Sequence, residues 1–302
     1  MGIEPTHQPW EGRRLPLHHT RDSIAARPIR CRPEPVLWGN GCRVSWVYAV
    51  PSWLVALSFI VGLSVLSVTG LLIVHRCLRP SEIDHNDVAG PIVATVGTVL
   101  AVMLSFMVVT MWQEYDQAAG VVATEAGEIA DLYHEARALT PSTRDAIRGG
   151  LKIYVAQLVD DEWPLMRSGR ISETARATLF RVVDAVEGFD PRTMAQQNAQ
   201  ADAITHAHNI LDARRARLFA NAQAVPPILW TMMVFIALVT IAASYLFRVR
   251  SLAAHVVMTV ALASVIAAIF AMIAELDLPF RGDLQIPPAA YAQDVRVFDA
   301  GD

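Results

Sequence analysis

Residues 91–112, PIVATVGTVLAVMLSFMVVTMW, contain no Asp, Glu, Lys or Arg and run without a turn signal into residues 113–136, QEYDQAAGVVATEAGEIADLYHEA. At about 1.5 Å per residue the first part is long enough for a helix to cross the ~30 Å hydrocarbon layer of a bilayer. In the second part Tyr115, Ala119, Val122, Ala126, Ile129, Tyr133 and Ala136 recur at alternating spacings of four and three, an apolar seam that suits another helix. A single helix is therefore expected to leave the membrane and continue as one wall of an aqueous domain.

Working outward, residues 54–74, 226–247 and 252–274 are equally free of formal charge, which makes four membrane-spanning helices with 91–112 as the second. Trp53, Trp112, Tyr115, Trp230 and Tyr245 mark their edges, where amphipathic rings sit among headgroups. Residues 113–225, between the second and third spans, are rich in Glu, Asp, Arg and Ala and read as a helical domain outside the bilayer. Thr140-Pro141-Ser142, Gly149-Gly150 and Gly188-Phe189-Asp190-Pro191 divide it. Its return helix shows a second seam, Ala201, Ile204, His208, Leu211, Arg215, Leu218 and Ala222, ending at Pro226-Pro227. The expected fold is thus an all-α membrane protein with a helical extramembrane domain inserted between helices 2 and 3, followed by a C-terminal segment over 275–302.

Composition agrees with a membrane chain. Of 302 residues 53% are hydrophobic and 18% charged, against roughly a quarter charged in soluble domains, and the mean hydropathy is +0.34. A net charge of -4 gives no positive field for nucleic acid. Cys31, Cys42 and Cys77 are odd in number and lack CxxC spacing, so they imply neither a disulfide framework nor a zinc site. Residues 1–43 hold seven arginines and six prolines with no helical or strand period, and read as a disordered tail. The arginine balance leans towards both termini being cytoplasmic in the cell inner (plasma) membrane.

No P-loop, dinucleotide fingerprint, GxSxG elbow or HExxH is present, so no catalytic residue, cofactor or metal site is expected. His206-Ala207-His208 puts its imidazoles on different helix faces, unlike a chelating pair four residues apart. On the second span Thr95, Thr98 and Ser105 form a hydroxylated stripe that suits either a narrow aqueous path or close helix packing, with Phe106 as one possible constriction. Glu114, Glu125, Glu128, Asp131 and Glu135 share about a third of the emerging helix's circumference. Glu125 and Glu128 lie at the height of Arg214 and Arg217, so two readings stand open: structural ion pairs, or a stripe that, repeated around an oligomer, lines a vestibule or binds a divalent cation through its carboxylates. Such a carboxylate ring would repel anions. After the fourth span, Glu275-Leu276-Asp277-Leu278-Pro279-Phe280-Arg281-Gly282 reads as a stop-and-turn whose carboxylates are placed to take an ion or one of Arg214, Arg215 and Arg217.

Residues 86–90 before the second span, Phe106, Trp112 and Tyr115, Glu125-Ala126 with Leu132-Tyr133, Tyr154, Glu162-Trp163-Pro164, Arg214, Arg217-Leu218, Pro227, Trp230 and Asp277-x-Pro279-Phe280-x-Gly282 together resemble the bestrophin-like family of bacterial and plant membrane proteins, over about residues 86–288. The resemblance implies a distant similarity to bestrophins, pentameric chloride channels whose second helix lines the pore and whose cytosolic part clasps calcium. This chain lacks the run of consecutive acidic residues of that clasp and the phenylalanine-rich neck, Phe106 being the only phenylalanine on the second span.

The expected function is a homo-oligomeric channel or channel-like protein, pentameric if it follows bestrophins, which partners lipid and small inorganic ions and not nucleic acid. Two other classes remain open. One is a stator-like, energy-coupling subunit that draws its membrane carboxylate from a partner, because none lies within the four spans. The other is a non-conducting scaffold.

Overall fold

The computed structural model describes residues 50–77, 86–247, 249 and 251–300, and among them every regular element is helical. The expected tail over 1–43 lies outside the described residues, as does most of the link between the first two spans. Four helices are long and apolar enough to cross a membrane, and a helical domain is inserted between the second and third.

α1 (Ser52–Cys77) is followed by α2 (Asn86–Glu135), a single 50-residue helix that carries both the apolar stretch and the seam beyond it. The domain continues with α3 (Pro141–Gln157), a five-residue π-helical turn (Leu158–Glu162), α4 (Trp163–Arg167), α5 (Glu173–Glu187) and α6 (Met194–Ala222). Local chemistry sets these boundaries. Ser172 accepts the Ala175 N–H at the start of α5, Thr193 accepts the Gln196 N–H at the start of α6, and Pro141 and Pro227 open helices at positions where no N–H is needed. α7 (Pro227–Ser244) and α8 (Leu252–Leu276) return through the membrane, and α9 (Ala289–Ala300) follows the turn after α8.

In the membrane layer, Leu100, Leu104, Met107 and Met111 of α2 pack with Met233, Ala237 and Ile241 of α7 and Ile266, Phe270 and Ile273 of α8. α1 lies along α8, where the Ser64 and Ser264 hydroxyls are 3.4 Å apart. It also meets Tyr245, which closes on Gly70 and donates to the Ser67 carbonyl at 2.7 Å. A side chain at Gly70 would collide with that ring.

In the domain, α2 runs antiparallel to α6, and α3, α5 and α9 close the remaining sides around a core that includes Ile129, Leu132, Tyr133, Leu151, Tyr154, Leu179 and Ile210. The α2 seam faces this core. The α6 seam drawn from the sequence does so only in part: Ile204, Leu211 and Leu218 pack against the core, but Ala201, His208, Arg215 and Ala222 are exposed, while Ala199, Ala203, Ala207, Ile210, Arg214, Arg217 and Asn221 are buried. The true inward face combines alanines at four-residue spacing, which let α6 approach α2 closely, with two arginines that a hydrophobicity pattern rejects.

Candidate functional site

The largest fully buried side chain of the described residues is a charged one, Arg217. A guanidinium in a core is tolerated only when carboxylates and hydrogen bonds replace its water. α2 supplies Glu125, whose Oε2 lies 2.7 Å from Arg217 Nε and whose Oε1 lies 3.2 Å from Nη2. The π-helical turn supplies Glu162, whose Oε2 accepts from Arg217 Nη2 at 3.2 Å. Glu162 also takes two donors from Arg214, which in turn reaches the Ser172 carbonyl. Two carboxylates and two guanidinium groups thus share one dry volume and balance in charge.

Neighbouring groups complete the coordination. Tyr154 of α3 donates to Glu125 Oε1 at 2.6 Å and Tyr291 of α9 donates to Oε2 at 3.0 Å, so Glu125 accepts four hydrogen bonds. Arg217 Nη1 donates to Met166 Sδ, and the guanidinium lies 5.4 Å from the Trp163 ring centroid, within cation–π reach. Burial and the adjacent Glu125 carboxylate push the Tyr154 and Tyr291 hydroxyls well above their ordinary range. Burial lowers Arg217, but Glu125 outweighs it and the guanidinium is held above its ordinary value. The tyrosines stay neutral donors and Arg217 stays charged across all ordinary pH.

The π-helical turn aims Glu162 into this junction. The Trp163 N–H bonds back to the Leu158 carbonyl, five residues earlier, so one extra residue rotates the following side chains relative to α3. Trp163 then donates from Nε1 to the Ile286 carbonyl and meets Phe280 and Tyr291 edge-on, each at 5.7 Å. Phe280 belongs to the Asp277, Pro279, Phe280, Gly282 turn, which therefore docks on the junction. Gly282 adopts φ 73°, and Ile286 N–H closes the turn on the Pro279 carbonyl at 2.8 Å. Asp277 Oδ1 accepts the Val225 N–H at 2.6 Å in the break between α6 and α7. Burial pushes its carboxyl up to about 6, against the pull of that hydrogen bond.

Several expectations change here. No vestibule wall within the protomer includes Glu125, Arg214 or Arg217, because each is buried and bonded inside the domain. The acidic stripe divides: Glu125 turns inward, while Glu128 pairs with His206 at 2.7 Å and with Asn209. His208 goes to Glu187 instead, as expected for imidazoles on separate faces. Neither carboxylate at the end of α8 receives Arg214, Arg215 or Arg217, since Glu275 accepts from Ser52 and Arg215 pairs with Asp212. Glu162, Tyr291 and Met166 were not singled out as site residues. The one signal for Glu162 was an acid directly before Trp163-Pro164.

The membrane half of α2 carries the other candidate residues. Thr95, Thr98, Ser105 and Phe106 are exposed, Phe106 to 70%, opposite the buried Leu100, Leu104 and Met107. Each of the three hydroxyls donates to the carbonyl four residues earlier at 2.8 Å. They present oxygen lone pairs, with a methyl group on each threonine, rather than free donors.

A family model described as the bestrophin-like domain matches residues 61–291. The chain belongs to the bestrophin-like family. Its fold is similar to crystal structures of mutants of a bacterial bestrophin homologue from Klebsiella pneumoniae. One is 13% identical with a TM-score of 0.58, covering 82% of this chain and 98% of that one. A second, also 13% identical at 0.58, covers 79% and 97%, and a third, 14% identical at 0.57, covers 80% and 96%. No curated protein matches the chain significantly. At such identities the likeness carries the fold alone, and the bestrophin-like chain's buried junction and exposed α2 face stand on their own geometry.

Proposed function

We propose that the protein is a homo-oligomeric, non-enzymatic ion channel or channel-like protein of the inner membrane, with α2 of each copy flanking a central path and the helical domain and both termini on the cytoplasmic side. The observation that carries this reading is the uncovered membrane face of α2. Only 17% of its most apolar stretch is buried within the chain, against 39% for α8; α1 is barer still at 11%, but it is the uncovered side of α2 that bears Thr95, Thr98, Ser105 and Phe106. Hydroxyls whose protons are already bonded to the backbone wet a narrow path without gripping an ion, and Phe106 supplies an apolar constriction. The membership of the chain in the bestrophin-like family supports the same role for its second span.

The carboxylate stripe weighs less against anions than its sequence suggests. Arg217 neutralises Glu125, and His206 and Asn209 hold Glu128.

Reconstitution tests the reading. The protein purified in mild detergent is expected to give the mass of a closed ring, and liposomes containing it to pass ions. Thr98→Trp is expected to abolish flux while leaving the ring and its melting temperature unchanged. Replacing chloride or potassium in turn names the permeant ion. A monomer or dimer that is tight to every ion overturns the proposal.

A further inference from the structure

At the membrane edge, a cavity of about 410 Å3 opens between the entry to α1 (Val50, Pro51), the end of α4 (Arg167) and the turn after α8 (Arg281, Asp283, Gln285). Its walls are tied to one another. The Ser52 N–H donates to Asp283 Oδ2 at 2.8 Å, and Arg167 Nε donates to Gln285 Oε1 at 2.9 Å. Gly169, at φ 71°, lets the Arg281 guanidinium lie against the backbone, since a Cβ there would stand 2.9 Å from Nη2.

The charge of the lining favours an anion. Two guanidinium groups face one carboxylate, and that carboxylate is already bonded to a backbone N–H. Arg167 spends one of its five N–H donors on Gln285, leaving the fork that suits a phosphate oxygen pair. The level of the cavity says where such an anion comes from. Ser52 is the first residue of the first span, and the turn follows directly from Leu276 at the end of the fourth. Trp53 and Leu284 beside it are 65% and 48% exposed, apolar surface of the kind that lies against acyl chains below a headgroup.

We propose that this cavity binds a phosphodiester anion, supplied by the headgroup of an anionic phospholipid. The site is independent of conduction and belongs to each protomer. Full-length protein, stripped of lipid in a non-ionic detergent, tests it with three probes: phosphatidylglycerol, phosphatidylcholine and inorganic phosphate. Phosphatidylglycerol is expected to raise the melting temperature with dose, by mass action on the folded state, and to be retained in native mass spectra. Phosphatidylcholine carries the same phosphodiester but brings a quaternary ammonium to a lining with two guanidinium groups, so it and inorganic phosphate at the same concentration are expected to do neither. Arg167→Gln, on an exposed side chain, and Arg281→Gln are each expected to weaken retention at least tenfold, with Arg167→Lys keeping part of it. Equal retention of the two lipids, or undiminished retention by the Arg167→Gln, Arg281→Gln double variant, overturns the proposal. An equal response to inorganic phosphate overturns the lipid as its source.

Discussion

The two halves of α2 solve opposite problems with one helix. In the outer half, Glu125 is buried and receives four hydrogen bonds from α3, α6 and α9, so its position is dictated by the rest of the domain. In the membrane half, Thr95, Thr98 and Ser105 turn outward and bond only to their own helix backbone. Polar groups in the first region specify how this chain folds. Those in the second add nothing to the fold of the protomer, and this freedom leaves them available to whatever lies outside it. Mutations of similar size should therefore read very differently in the two regions.

The greatest separation is expected from Arg217→Met. It leaves Glu125 in the core with two tyrosine donors but no cation, and losing one partner of a buried pair costs about 3–5 kcal/mol. The variant is expected to lose the folded peak in size-exclusion chromatography or to melt far below wild type. Adding Glu125→Gln removes the stranded charge and should restore much of the loss, since the amide oxygen still accepts from one of Tyr154 and Tyr291 and the amide nitrogen can donate to the hydroxyl oxygen of the other. No recovery in the double variant would mean that packing around Arg217, rather than charge balance, sets the cost. Tyr154→Phe is a milder cut at the same place. It removes one hydrogen bond to a carboxylate and should cost about 1.5–3 kcal/mol, with the oligomer intact.

What the sequence made legible follows from the same contrast. Runs of uncharged residues announce membrane spans because lipid admits little else, and the α2 seam was readable because its inward side chains are apolar or small. The apolar pattern of α6 is displaced from its inward face because a hydrophobicity pattern passes over Arg214 and Arg217, which the sequence offers only as ion-pair or vestibule partners of Glu125 and Glu128. A buried charge has no periodic signature; it is specified by partners scattered along the chain, here Glu125, Glu162 and Tyr291. The helix α9 was equally hidden. The sequence shows only a C-terminal segment there, yet the helix buries Tyr291 and Phe298 and brings the Phe298 ring centroid to 4.4 Å from that of Tyr133.

A pair of glycines sharpens the comparison at the level of single methyl groups. A Cβ at Gly150 on α3 would stand 2.5 Å from Val182 Cγ2, inside the packed core, so Gly150→Ala should cost about 1–3 kcal/mol. A Cβ at Gly97, beside the hydroxyl stripe of α2, meets nothing within 4 Å. Gly97→Ala should leave the melting temperature unchanged or raise it slightly, because alanine is the better helix former. If Gly97→Ala instead alters the oligomer mass, another copy of the chain reaches that face.

Asp294 marks one of the places where the domain's buried polar groups are not all matched, Arg148 Nη2, Gln157 Oε1 and Asn221 Oδ1 being others among the described residues. Asp294 sits on the buried stripe of α9 between Tyr291 and Phe298, 4% exposed, and its Oδ2 has no hydrogen-bond partner among the described residues. Burial pushes its carboxyl from an ordinary 3.8 up to about 7. The folded chain therefore holds a proton that the unfolded chain releases. That contribution favours folding fully below the unfolded value and is lost as pH rises through about 7. Asparagine cannot ionise, so wild type and Asp294→Asn should melt together near pH 4, and the variant should melt several degrees higher at pH 8. Parallel melting curves across that range would mean that the carboxylate finds its counter-charge when ionised. Because α9 also carries Tyr291, any loosening at high pH should weaken the Tyr291 bond to Glu125, and Tyr291→Phe should then shrink the pH effect.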